Sequence, residues 1–141
     1  MELNYVIYID GPPARVSQAL RAGQPIAAFM PGAQLRSSFE PGAPYAYVGN
    51  KDGKEVTFVE GTIIRADDGL LEMTYRTAGN PHESRVAYKL EPAGSATKVS
   101  VKQNGFDNGD PNYEANLDGW PKLLSNLKSF IETGKIMNYY G

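Results

Sequence analysis

The 141-residue sequence has no cysteine, a single histidine and a single tryptophan, and no excess of either charge: 14 Lys and Arg stand against 16 Asp and Glu, for a net charge of -2. Without cysteine there can be no disulfide and no Cys-containing zinc site, and one histidine, His82, is too few for a His-rich metal set. His82 sits in the turn Asn80-Pro81-His82-Glu83, where a solvated surface role is expected, so a Ser-His-Asp arrangement would depend on one exposed ring. Basic residues are scattered singly, which removes the phosphate-neutralising patch of a nucleic-acid binder. No stretch approaches the roughly 18 apolar residues of a membrane span. No catalytic residue, no metal and no cofactor is therefore expected, and nucleic acid is excluded as a partner.

The chain opens Met1-Glu2-Leu3-Asn4, without a basic region, and the apolar stretch 5–9 is too short for a signal-peptide core. With no Asn-x-Ser/Thr sequon either, the expected compartment is the cytoplasm. At this length about two-thirds of the unfolded chain's surface is buried on folding, enough for a core without staples.

What the chain has in quantity is turn chemistry: 15 glycines and 10 prolines. The first apolar segment, residues 3–9, is β-branched and aromatic and stops at Asp10-Gly11-Pro12-Pro13. Helical spacing follows, with Val16, Ala19 and Leu20 on one face, until Gly23 ends it. A second short helix is predicted over residues 25–29, stopping at Pro31-Gly32. From Leu35 to Gln103 the period is two. Segments around Leu35/Ser37/Phe39, Tyr45/Tyr47, residues 55–65, Leu71/Met73/Tyr75, Val86/Tyr88/Leu90 and Val99/Val101 are separated by Pro41-Gly42, Asn50-Lys51-Asp52-Gly53, Asp67-Asp68-Gly69 and Gly79-Asn80-Pro81. Such alternation predicts an antiparallel sheet with one face covered.

The cover is predicted at the C-terminus. Asp110-Pro111 offers a cap and a first-turn proline, Gly134 a stop, and Leu117, Trp120, Leu124, Leu127 and Ile131 fall on one helical face, flanked by Leu123 and Phe130. Pro121 lies within this segment, so either a kink or a start nearer Leu117 is expected. One domain over residues 1–134 is expected, followed by a tail, 135–141, that is either frayed or an interface segment because of its adjacent Tyr139 and Tyr140. A homodimer is a partner the tail would serve.

The order strand, two short helices, about six antiparallel strands and a long final helix resembles the helix-grip arrangement. Gly119-Trp120 followed by Leu123, Leu124, Leu127-Lys128, Ile131-Glu132 and Gly134 resembles the closing helix of the family named for the activator of heat-shock-protein-90 ATPase, within the START-like (SRPBCC) superfamily. Val16, Ala19 and Leu20 resemble its first helix, Gly53 and Gly61 its strand glycines, and Thr97-Lys98-Val99 after Gly94 its last strand. The likeness spans residues 3–134. Two positions depart from it: Ser17 and Phe29 stand where the family often has tryptophan.

The resemblance implies an α+β fold in which a curved antiparallel sheet wraps the C-terminal helix and leaves an apolar space between them. The candidate lining is Phe29, Tyr47, Phe58, Met73, Tyr75, Tyr88, Trp120 and Leu124, the alternative being that these residues pack as solid core. Which face of the strand over residues 55–65 points inward stays open: Val56, Phe58, Glu60, Thr62 and Ile64, or Val59, Gly61 and Ile63. An inward Glu60 would be a carboxyl available for proton transfer, together with Tyr75 or Tyr88; a solvent-facing Glu60 is the simpler expectation. The leading expectation is binding of a hydrophobic small molecule, lipid, polyketide or aromatic in type. Its alternatives are a cyclase- or hydrolase-like reaction on such a ligand, and the stress-related chaperone partner suggested by the family name, although that activity in full-length relatives uses an additional N-terminal domain.

Overall fold

The computed structural model describes residues 1–23, 26 and 33–139. Nine elements follow in chain order: β1 (Leu3–Asp10), α1 (Pro13–Ala22), β2 (Gln34–Ser37), β3 (Pro44–Lys51), β4 (Lys54–Ala66), β5 (Leu70–Thr77), β6 (Ser84–Ala93), β7 (Ala96–Asn104) and α2 (Pro111–Thr133). The strands form one curved antiparallel sheet in the order β1-β7-β6-β5-β4-β3-β2, with α2 on its inner face. This is the helix-grip fold. The second short helix expected over 25–29 lies outside the described residues, apart from Ile26.

Local chemistry sets the element ends. α1 begins at a proline, which lacks the N–H that the first turn cannot use, and ends at Gly23 with φ 76°. A Cβ at Gly23 would sit 2.5 Å from the Leu35 backbone nitrogen, so the chain reversal into β2 admits only glycine. At α2, the Asp110 carboxylate accepts from the Asn112 N–H at 2.9 Å, and Gly134 closes the helix with its own N–H on Phe130 O.

At Pro121 α2 excludes one of the two expected alternatives, and one member of its predicted stripe needs correction. The helix starts at Pro111 and runs through Pro121 without a delayed start near Leu117. Pro121 cannot donate to the Leu117 carbonyl one turn back, but the Tyr5 hydroxyl of β1 reaches that carbonyl at 3.0 Å and takes the missing N–H's place. Leu117 itself points out and is 42% exposed, so it does not belong to the inner stripe. That stripe is Trp120, Leu123, Leu124 and Leu127, packed in one core with Ile9, Val16, Met73, Val86, Tyr88, Val99 and Val101.

Period-two alternation also fails at one place. Tyr47 pairs with Val59 but its neighbour Val48 pairs with Thr57, leaving Phe58 as the extra residue of a β-bulge. A second bulge falls at Ile64, between Ile63 opposite Met73 and Arg65 opposite Glu72. The buried face of β4 carries Val59 and Ile63, while Gly61 lies against the ring of Tyr45. A Cβ at Gly61 would collide with the Thr74 carbonyl and lie 2.7 Å from Tyr45 Cε1.

The outer edge of β1 is held by α2. Lys128 Nζ donates to the Tyr8 carbonyl at 2.8 Å, and the Asp10 N–H donates to Glu132 at 2.8 Å. Residues 135–139 turn back along the helix instead of fraying: the fully buried Asn126 accepts from the Met137 N–H at 2.9 Å and donates to its carbonyl at 3.2 Å, and the Tyr139 hydroxyl donates to Lys122 O. Among the described residues no helix is long and apolar enough to cross a membrane.

Candidate ligand cavity

Between the sheet and the first half of α2 lies a cavity of about 370 Å³. It exists because of what α2 presents there. The turns from 115 to 119 place Ala115, Asn116 and Gly119 toward the space, and large apolar side chains resume only at Trp120 and Leu123. The sheet supplies the opposite wall: Tyr47 of β3, Phe58 and Val59 of β4, Tyr75 and Thr77 of β5. The bulge puts Phe58 and its neighbour Val59 into the same lining, which strict alternation forbids. Tyr45, Tyr47 and Phe58 form a tilted aromatic series with ring centroids 5.7 and 5.9 Å apart.

Of the residues singled out from sequence, Tyr47, Phe58, Tyr75 and Trp120 line this space. Met73 and Leu124 are 1% and 2% exposed and pack into solid core away from it. Tyr88 lies behind the wall, edge-on to Trp120 at 5.7 Å, bordering a void of about 10 Å³. Phe29 lies outside the described residues. Val59 belongs to one of the two faces left open for its strand; sequence reasoning missed Thr77, Asn116, Gly119 and Lys122 as lining and took Leu123 as a flank of the helical stripe, and the signal available for Asn116 and Gly119 was the run of small and polar residues on the inner face of α2.

A buried amide fixes the wall. Gln103 of β7 is fully buried; its Oε1 accepts from Trp120 Nε1 and from Asn116 Nδ2, both at 2.8 Å, and its Nε2 donates to Ser84 Oγ at 2.9 Å. Because an indole N–H can only donate, the orientation of the Gln103 amide is determined. Through Ser84, Gln103, Asn116 and Trp120, β6, β7 and α2 share one hydrogen-bonded network.

The titratable groups that line the cavity from the sheet are phenols. Burial pushes the phenol of Tyr75 up, and Asn116 partly offsets it. Burial also raises Tyr45, Tyr47 and Tyr88, and the neighbouring phenols add to the rise at Tyr88. At neutral pH these phenols are hydrogen-bonding groups and not bases. Among the lining residues the charged pair is Lys122 with Asp118, at 2.8 Å. Glu60 lies on the outer face, ion-paired with Arg76 at 2.5 Å, and does not line the cavity.

Behind Thr77, which lines the space, the contacts are polar. Thr77 donates to Asn112 Oδ1 at 3.3 Å, and Asn80 Nδ2 donates to Asp110 Oδ1 at 3.0 Å. Thr77 also borders an open depression of about 310 Å³ lined by Glu60, Arg76, Gly79, Asn80 and Pro81. The nearby His82 is held by Asp107 at 2.8 Å, tying the loop after β5 to the loop before α2. Among the described residues no group of three or more His, Cys, Asp or Glu is placed to hold a metal ion.

Solved structures share this architecture. DynU16, a protein in the dynemicin biosynthetic locus, aligns over 98% of this chain and 49% of its own at 21% identity, with a TM-score of 0.75. ChR145 from Cytophaga hutchinsonii aligns over 95% of both chains at 22% identity and a TM-score of 0.73. CalU16 from Micromonospora echinospora covers 93% of this chain and 74% of its own, at 20% identity and a TM-score of 0.72. At such identities the likeness concerns the fold. No curated protein sequence matches the chain. The family described as activator of Hsp90 ATPase homolog 1-like protein matches residues 10–132.

Proposed function

We propose that this chain, which belongs to the family of activator of Hsp90 ATPase homolog 1-like proteins, binds a hydrophobic small molecule between its sheet and α2. One observation carries the reading: the first half of α2 leaves a space of about 370 Å³ against Tyr47, Phe58, Tyr75 and Trp120, beside a core into which Met73, Tyr88 and Leu124 are packed. Such a space has the size and mixed apolar and polar lining of small-molecule sites. The aromatic series favours a flat ligand that stacks, of aromatic or polyketide type, over a saturated chain. A proton-transfer role has less behind it, because Glu60 lies outside and the buried phenols hold their protons.

Thermal shift and native mass spectrometry with flat aromatics, flavonoids and fatty acids test this. A ligand present at 100 times its Kd adds about 2.7 kcal/mol to stability, and at about 3 °C per kcal/mol the Tm rises by about 8 °C. Absence of any shift and of any bound mass across the panel would sink the proposal.

A further inference from the structure

The donors of the cavity wall divide by whether the fold uses them. Trp120 Nε1 and Asn116 Nδ2 both donate to Gln103 Oε1 at 2.8 Å, Thr77 donates to Asn112 Oδ1 at 3.3 Å, and the Lys122 ammonium is paired with Asp118 and lies over the ring of Tyr139. Tyr45, in the same aromatic series, donates to the Thr74 carbonyl. Tyr47 of β3 and Tyr75 of β5 also line the space, and none of the bonds that close the wall takes its proton from them. Burial raises both phenols, and Tyr75 adds to the rise at Tyr47, so the two oxygens are near neighbours. Tyr88 beside Tyr47 and Asn116 beside Tyr75 each offset part of the rise, the effect of a neighbour that favours negative charge on the phenol oxygen. Such a neighbour serves the oxygen and leaves the phenol's own proton to be given elsewhere. Nor is either oxygen one of the sealed, unpaired side-chain atoms of the interior, which among the described residues belong to Arg21, Asp110 and Asn112.

We propose that the Tyr47 and Tyr75 hydroxyls together donate to one carbonyl oxygen on the ligand, whose flat apolar body lies against Phe58, Trp120 and Leu123. The pairing selects by chemistry. A carbonyl has two lone pairs and no proton to place, so it takes both donors. A hydrocarbon of the same shape leaves both phenols without an acceptor. A carboxylate brings a full charge into a space whose one lining cation among the described residues, Lys122, already has a partner. The inference rests on the cavity being a ligand site.

Three probes with one flat body separate the outcomes: 9-fluorenone, fluorene and fluorene-9-carboxylate, each titrated by the emission of the single tryptophan, Trp120, which lines the space. Fluorenone is expected to bind about tenfold more tightly than fluorene and than the carboxylate, the size of two ordinary hydrogen bonds. Tyr47→Phe and Tyr75→Phe each keep the ring and remove the proton. Fluorenone affinity should fall about threefold in each and to the level of fluorene in the double variant. Fluorene affinity should stay constant throughout, which shows that the cavity is intact. The carbonyl stretch of bound fluorenone, read by difference infrared spectroscopy, should lie below its value in alkane solvent and move back toward it in each variant, a change that a merely structural role of the phenols would not produce. If neither fluorene nor fluorenone binds, the cavity reading falls and takes the subsite with it. If the two bind equally, if the advantage survives in the double variant, if the carbonyl stretch is unshifted, or if the carboxylate binds most tightly, the phenol subsite alone is overturned.

Discussion

Replacing Gly119 with leucine should raise stability and abolish binding together, a pair of outcomes that damage to the fold cannot produce. Gly119 lies in the interior of α2, has no left-handed backbone, and lines the cavity. A Cβ built there meets nothing closer than Asn116 Oδ1 at 3.5 Å, an ordinary contact. Glycine in a helix interior costs about 1 kcal/mol relative to alanine, and leucine is nearly as good a helix former. Gly119→Ala should therefore gain about 1 kcal/mol, or about 3 °C in Tm, while leaving most of the space open. Gly119→Leu should keep most of that gain and send four carbons into the cavity. The assay is a melting curve of each protein with and without a bound aromatic probe: the unliganded Tm rises in both variants, and the ligand-induced shift survives in Gly119→Ala but vanishes in Gly119→Leu. A Gly119→Leu protein that melts below the wild type, or that binds the probe as tightly, refutes the placement of Gly119 at the wall of a usable space.

Three other perturbations bear on the same architecture. Tyr5→Phe removes the hydroxyl that serves the Leu117 carbonyl and should cost about 1 kcal/mol in urea unfolding; Pro121→Ala restores a helical N–H to that carbonyl, so the loss should shrink in the double variant, and simple additivity would count against the substitution of one donor for the other. Gln103→Leu strands the Trp120 and Asn116 donors in the core and should cost about 3 kcal/mol or more, with a change in tryptophan fluorescence; a loss under about 1 kcal/mol would mean that the network is not structural. Glu132 is held below the ordinary carboxylate range by the Asp10 N–H and by Lys128, so its contribution is complete above the unfolded value of about 4.3 and is lost as pH falls through the lower folded one. Glu132→Gln should flatten the acid limb of the stability curve below about pH 5, and parallel curves for the two proteins would contradict this.

Much of the fold was legible because it depends on chemistry that repeats along the chain. Alternating apolar residues gave the strands from Leu71 to Val101, and Gly23 and Gly134 end their helices at φ 76° as a left-handed stop requires. What sequence could not show is where alternation breaks. The bulge at Phe58 arises from the register of β3 against β4, a long-range property with no local mark in Thr57-Phe58-Val59. Pro121 left two outcomes open for a similar reason: the cost of a proline inside a helix depends on whether another group reaches the freed carbonyl, and here that group is on Tyr5, 112 residues away from Leu117. The site followed the same division. Large aromatics were found and then split between wall and core, because aromatic character marks burial and does not separate a lined space from a filled one. Asn116 and Gly119 were missed because a small or polar residue on an inner helix face reads from sequence as a weak stripe, and Thr77 because it is a polar residue at the end of β5, next to a turn.

That weak stripe explains how α2 can be at once a core element and the wall of a void. From Trp120 to Leu127 the helix buries four large apolar side chains against β1, β6 and β7, and this half anchors it. From Asn112 to Gly119 it offers amides, an alanine and a glycine, and this half would collapse onto the sheet or swing away if it depended on packing alone. Polar links hold it instead at a fixed distance: Asn116 to Gln103, Asn112 to Thr77, and the Asp110 cap to Asn80. Hydrogen bonds specify a separation where apolar contacts would favour closing it, so the cavity stays open because its supports are directional. On this argument the polar residues of the first half of α2 matter more to ligand affinity than to global stability, and the apolar residues of the second half the reverse.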